Sequence, residues 1–75
     1  MMPTAAQLRA ARALLTWTME ALAERAGVSA RTIRRAEEAD QAVSVRSLRR
    51  LAAAYKAAGI EFSVNSGGEG VRLRR

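Results

Sequence analysis

Neither cysteine nor histidine occurs in the 75 residues. Disulfide staples, thiolate and imidazole metal sites, Cys nucleophiles and His acid-base pairs are thereby excluded. Aromatic side chains are scarce too: one Trp, one Tyr and one Phe, too few to stack successive bases of a single nucleic-acid strand. No stretch approaches the roughly 20 apolar residues of a membrane span, and the N-terminus lacks the apolar core of a signal peptide. A cytoplasmic location without membrane contact is expected. There is no phosphate-binding glycine loop, no metal motif and no pair of acids in a predicted cleft, so neither an enzyme nor a cofactor is expected.

Negative charge is thin as well. Seven Asp and Glu stand against 13 Lys and Arg, a net charge of +6 that favours polyanionic partners, nucleic acid first. The length allows one domain, near the lower limit at which a single core holds without staples. Arginine supplies twelve of the basic residues and alanine occurs 17 times, a bias that carries little functional weight.

Four helix starts stand out as a capping residue with an apolar residue just before it and another four positions after it. Thr4 follows Pro3 and precedes Leu8, and Gln7 completes a capping box; Thr18 lies between Trp17 and Leu22. Val28 and Ile33 bracket Ser29, and Val43 and Leu48 bracket Ser44. The spacing predicts helices over Ala5–Leu15, Met19–Ala26, Ala30 to Glu38 or Ala39, and Val45–Ala58. Leu8, Ala11 and Leu15, then Leu22, Ala23 and Ala26, then Leu48, Leu51, Ala52 and Tyr55 form the inward stripes. Gly27 and Gly59 supply left-handed ends.

Beyond Gly59 the period becomes two. Ile60, Phe62 and Val64 alternate with Glu61, Ser63 and Asn65, and Val71 and Leu73 alternate with arginines. Two short strands joined by a flexible Ser66–Gly70 connection are predicted. Such a hairpin is marginal alone and must pack on the helices or pair with a second chain. The fold expected is mainly α: residues 1–59 form a four-helix unit, and residues 60–75 a C-terminal β-hairpin with a basic tail of Arg72, Arg74 and Arg75, read as solvated.

The run Leu22-Ala23-Glu24-Arg25-Ala26-Gly27-Val28-Ser29, followed by Ile33, describes two short helices joined at a sharp angle. Ala23 is small where the helices cross closely, Gly27 takes the positive φ, and Val28 and Ile33 plug the space between them. The second of these helices is charged against its own dipole, with Arg31 in the first turn and Glu37 and Glu38 at the end. That arrangement suits a helix whose N-terminal half meets phosphates and base edges. Arg31, Arg34 and Arg35 fall at i, i+3 and i+4 and share one face. Each reads as a DNA contact, against a reading as ordinary solvated charge.

From Thr4 to Tyr55 the chain resembles the helix-turn-helix domain of the Cro and phage-repressor class of regulators, with a four-helix, lambda-repressor-like fold. Leu8, Arg12, Leu15, Leu22-Ala23, Gly27-Val28-Ser29, Thr32-Ile33, Glu37, Ser44, Leu48 and Leu51 carry the resemblance. It implies a homodimer on a two-fold site in double-stranded DNA. It places base-reading and adjacent positions on Ser29, Ala30, Arg31 and Arg35, and phosphate-contacting positions on Thr32, Thr18 and the start of the fourth helix. Arg12 and Glu37 resemble a structural ion pair. The sequence departs from the pattern at Met19, where many members carry a polar residue, and at Ala30, which can touch at most a thymine methyl. It departs also at Glu38-Ala39-Asp40, which replaces the glycine that usually ends the third helix and would lengthen it or loosen the loop.

The fourth helix presents free N–H groups suited to phosphate. Ser44 reads as its cap and Arg46 as either a phosphate contact or an exposed charge, while Arg49, Arg50 and Lys56 read as solvated. The leading expectation is a sequence-specific transcriptional repressor. The alternatives are an antitoxin or restriction-controller protein with a protein partner, and a helical module whose arginines meet an acidic protein surface.

Overall fold

The computed structural model describes residues 2–74. Four helices, α1 (Ala5–Leu15), α2 (Met19–Ala26), α3 (Ala30–Glu37) and α4 (Val45–Ala57), are followed by strands β1 (Ile60–Asn65) and β2 (Gly68–Leu73). Each helix begins at an anticipated cap, with Thr4, Thr18, Ser29 and Ser44 accepting from the backbone N–H three residues on. Gln7 closes the capping box by accepting from the Thr4 N–H at 2.9 Å.

The helix ends reflect the local backbone. Gly27 at φ 71° closes α2 and its N–H donates to Ala23 O. The third helix stops at Glu37, shorter than the sequence suggests, because Ala39 adopts the left-handed conformation at φ 59° without being glycine. Asp40 N–H then bonds back to Arg35 O, and the Asp40 carboxylate accepts from Ala42 N–H. The third helix is therefore neither lengthened nor left loose at its end. The fourth ends at Ala57, one residue early, with Ala58 as its cap and Gly59 at φ 96° turning the chain into β1.

Leu8, Leu22, Ile33, Leu51 and Tyr55 are fully buried at the centre, each apolar side chain stabilising the fold by about 1.5 to 3 kcal/mol. Tyr55 donates its hydroxyl to Leu8 O at 3.2 Å, and burial raises its pKa well above the ordinary phenol value. Trp17 stacks on Tyr55 and Phe62 meets it edge-on. Ala52, expected inward, is only half-buried, because the helix-hairpin junction beside it opens to solvent.

The hairpin is antiparallel, with Ile60 opposite Leu73 and Asn65 opposite Gly68. Its connection is two residues, Ser66 and Gly67, rather than the five expected: Gly68, Glu69 and Gly70 pair within β2. Glycine weakens a strand through backbone entropy, yet here two of them are held by pairing and by α1. Ile60 is buried in the helical core, and Phe62, Val71 and Leu73 pack against it. The buried Gln7 amide donates to Ser63 O at 3.0 Å and Gly70 O at 3.1 Å, one carbonyl on each strand. A side chain that caps α1 therefore also clamps the hairpin.

Candidate nucleic-acid interface

The turn between α2 and α3 contains only Gly27, Val28 and Ser29. Ile33 is fully buried and Val28 half-buried against the core, which fixes the roll of α3 and decides which of its residues face water. Arg31 and Arg34 are exposed and Arg35 half-exposed, while Ala36 and Glu37 are buried. The three arginines lie together on the solvent side. Arg31 and Arg34 make no ion pair among the described residues; Arg35 lies 3.9 Å from Asp40, an exposed pair in which the guanidinium keeps most of its freedom.

Ser29 and Thr32 share one small polar unit at the start of α3. The Ser29 hydroxyl accepts from Thr32 N–H and donates to the Thr32 hydroxyl at 3.0 Å, leaving the first turn's remaining N–H groups open. Ala30 is half-buried beside it and presents only a methyl. Thr18 is exposed at the start of α2, accepting from Ala21 N–H. Ser44 and Arg46 are exposed at the start of α4, Ser44 accepting from Ser47 N–H and donating to its hydroxyl.

Glu37 points the other way. Its carboxylate accepts from Arg12 Nε at 2.7 Å and Nη2 at 3.0 Å, a bidentate pair of the strong, planar kind. The hydrogen bond to Glu37 raises the already high Arg12 pKa further, against the opposing effect of burial. Arg12 also donates to Trp17 O, and Arg9 to the Glu37 carbonyl. The C-terminal end of α3 is thus lashed to α1 while its N-terminal half stays exposed.

Several roles were not visible in the sequence. Arg50, read as solvated, donates to Gly27 O at 3.2 Å and so ties α4 to the interhelical turn. Arg25 lies 4.4 Å above the Trp17 ring, a cation-π contact at the root of α2. Arg72 and Arg74 do not form a free tail: both bond the Glu61 carboxylate, whose pKa falls chiefly through the Arg72 hydrogen bond. Arg75 lies outside the described residues.

A short helix carrying an exposed arginine face, set on a second helix through a three-residue turn, is the geometry of a major-groove reader. No group of metal-ligating residues competes for a role among the described residues, and no helix is long and apolar enough to cross a membrane. No curated protein matches the chain. The family model described as helix-turn-helix matches residues 8–61. That span runs from the core of α1 into β1 and contains every part of the arrangement just described; the chain belongs to the helix-turn-helix family of DNA-binding regulators, of the Cro and phage-repressor type.

Proposed function

We propose that the chain is a cytoplasmic transcriptional repressor, without enzymatic activity, that binds a two-fold site in double-stranded DNA as a homodimer. The observation that carries this reading is the division of α3: Arg31 faces solvent from its first turn and Arg34 and Arg35 from its last, on one side, while Glu37 is buried against Arg12 on the other. In this reading Arg31 and Arg35 reach guanine edges, where a bidentate contact is worth roughly 1 to 3 kcal/mol of discrimination. Ser29 and Ala30 line the entry to the groove. Thr18, Thr32, Arg34, Ser44 and Arg46 hold phosphates, fixing register without reading sequence. Residues 1–59 then form the DNA-binding unit and residues 60–75 the dimerisation element.

Selection of bound duplexes from a random pool tests the proposal, and a two-fold consensus is the expected product. Affinity for that site should fall steeply with salt through counterion release. Arg31→Ala and Arg35→Ala should each weaken it about tenfold or more and relax preference at one base pair. A pool with no enriched sequence, beside tight binding to an acidic protein surface, would replace this reading with that of a protein-interaction module.

A further inference from the structure

The hairpin has two free edges, and they differ. Arg74 N–H donates to Gly59 O at 2.8 Å, which sets the phase of the ladder. Glu61 with Arg72, Ser63 with Gly70 and Asn65 with Gly68 are the pairs that exchange hydrogen bonds, and the alternate residues point their backbone groups outward. On β2 these are Glu69, Val71 and Leu73, none of whose backbone groups bonds another segment among the described residues. An unpaired edge of this kind is a template for another strand.

Beside that edge runs an open groove between β2 and α1, lined by Ala6, Ala10, Ala13, Leu14, Glu69 and Val71. Leu14 is 44% exposed, a large apolar side chain that lies outside the core cluster. A strand added to β2 would extend the sheet over this flank, and the three alanines leave room for its inward side chains. The side chains of Arg9 and Arg12 are turned to Glu37 of α3, so neither cation enters this flank.

We propose that the occupant is β2 of a second copy, paired antiparallel across a two-fold axis at Val71, giving a continuous four-stranded sheet. Charge selects this partner. The chain carries +6, yet among the described residues the only ionisable one lining the groove is Glu69, itself held by the Thr4 hydroxyl. Two basic copies can meet here without opposing their cations. The β1 edge is different, since the groove beside it is lined by Lys56, Arg72 and Arg74 against Glu61 alone, and pairing there would bring like charges together.

The register is self-complementary. With Val71 opposite Val71, Glu69 falls opposite Leu73, and all three outward residues of each β2 exchange hydrogen bonds with the partner. Arg72 falls opposite Gly70, which has no side chain to crowd it, and each Arg72 is already paired with its own Glu61. The inference rests on the homodimer of the proposed function and names its face and register.

Because the chain lacks cysteine, single-cysteine variants report proximity cleanly. In the absence of DNA, Val71→Cys should cross-link across the axis on oxidation, since directly opposed residues in a bonded pair lie about 5.5 Å apart, within disulfide reach. Val64→Cys, on the exposed β1 edge, should not. Wild type should sediment as a dimer at micromolar concentration, and Leu14→Arg and Ala10→Arg should each weaken the dimer roughly tenfold or more with unchanged helical circular dichroism. A monomeric wild type, a dimer indifferent to both arginine variants, or cross-linking through Val64→Cys instead of Val71→Cys overturns the inference. Should Val71→Cys fail to fold, the two α1 variants decide alone. Cross-linked dimers that select no duplex would sink the repressor reading and leave this face standing; a two-fold DNA consensus from a protein whose dimer ignores the α1 variants would do the reverse.

Discussion

Glu37 sits seven residues into a helix of arginines, and its burial shows how one residue divides a surface from a scaffold. Its carboxylate is 5% exposed while its partner Arg12 keeps 25% of its side-chain surface. Removing one member of a fully buried pair costs roughly 3 to 5 kcal/mol, so Glu37→Ala should cost about 2 to 3 kcal/mol, the guanidinium retaining some water. Urea titration measures it. The joint replacement Arg12→Met with Glu37→Leu should recover most of the loss, because no charge is then stranded. Loss of DNA affinity in Glu37→Ala protein that is still folded, equal to that of Arg31→Ala, would show that Glu37 belongs to the reading surface after all.

At the scale of elements, the joints carry the strain. Ala39 holds a left-handed conformation at φ 59°, which costs an L-residue roughly 1 to 2 kcal/mol. Ala39→Gly should therefore stabilise the protein by about 0.5 to 1 kcal/mol once the greater unfolded-state entropy of glycine is set against the relief. Gly59 is the opposite case, because a Cβ there would lie 2.9 Å from the Arg74 carbonyl oxygen, whereas a Cβ on Gly27 meets open space. Gly59→Ala should cost more than Gly27→Ala, whose cost is about 1 kcal/mol of backbone strain alone; equal urea midpoints for the two would contradict the tight α4-to-hairpin joint. Gln7→Ala breaks the clamp between α1 and both strands and should cost about 2 kcal/mol, its stranded carbonyls regaining some water. Amide exchange should then speed up in the hairpin before it does in α2 or α3. Glu61 adds a pH dependence of known sign. A carboxylate whose folded pKa is lowered supports the fold above its unfolded pKa, and that support disappears as pH falls through the folded value. Acidification should thus loosen the exposed Glu61–Arg72–Arg74 face of the hairpin, and Glu61→Gln should remove that part of the profile.

For the whole molecule, the hairpin cannot be treated as an appendage. Ile60 is 2% exposed and Phe62 packs edge-on against Tyr55. A chain truncated after Gly59 should therefore lose its cooperative thermal transition rather than become a folded monomer, and point changes on the outer flank of α1 are the proper probes of association. The net charge of +6 acts at the same scale. Each phosphate contact released by mutation should reduce the slope of log affinity against log salt by about 1, so Arg46→Ala should flatten the slope while leaving the selected consensus unchanged. Arg35→Ala should alter the consensus.

Helix starts were legible because each depends on neighbours within five residues: a hydroxyl at Thr4, Thr18, Ser29 or Ser44 and an apolar residue on either side. The same locality exposed the α2–α3 turn at Gly27, the outward arginine triad and, through the family resemblance, the Arg12–Glu37 pair. What stayed hidden depends on distant partners. The two glycines of β2 looked like loop until Gln7, more than fifty residues earlier, was found to grip both strands. The Gly27 contact of Arg50 and the Glu61 pairing of Arg72 and Arg74 likewise arise only when separate elements meet. Composition and periodicity determined that this is a basic, mainly helical chain with a helix-turn-helix spacing whose second helix carries three arginines. Tertiary packing decided which arginines stay free, where α3 ends and which edge of the hairpin lies beside an apolar groove, because those outcomes depend on burial and unpaired groups that no short stretch of chain contains.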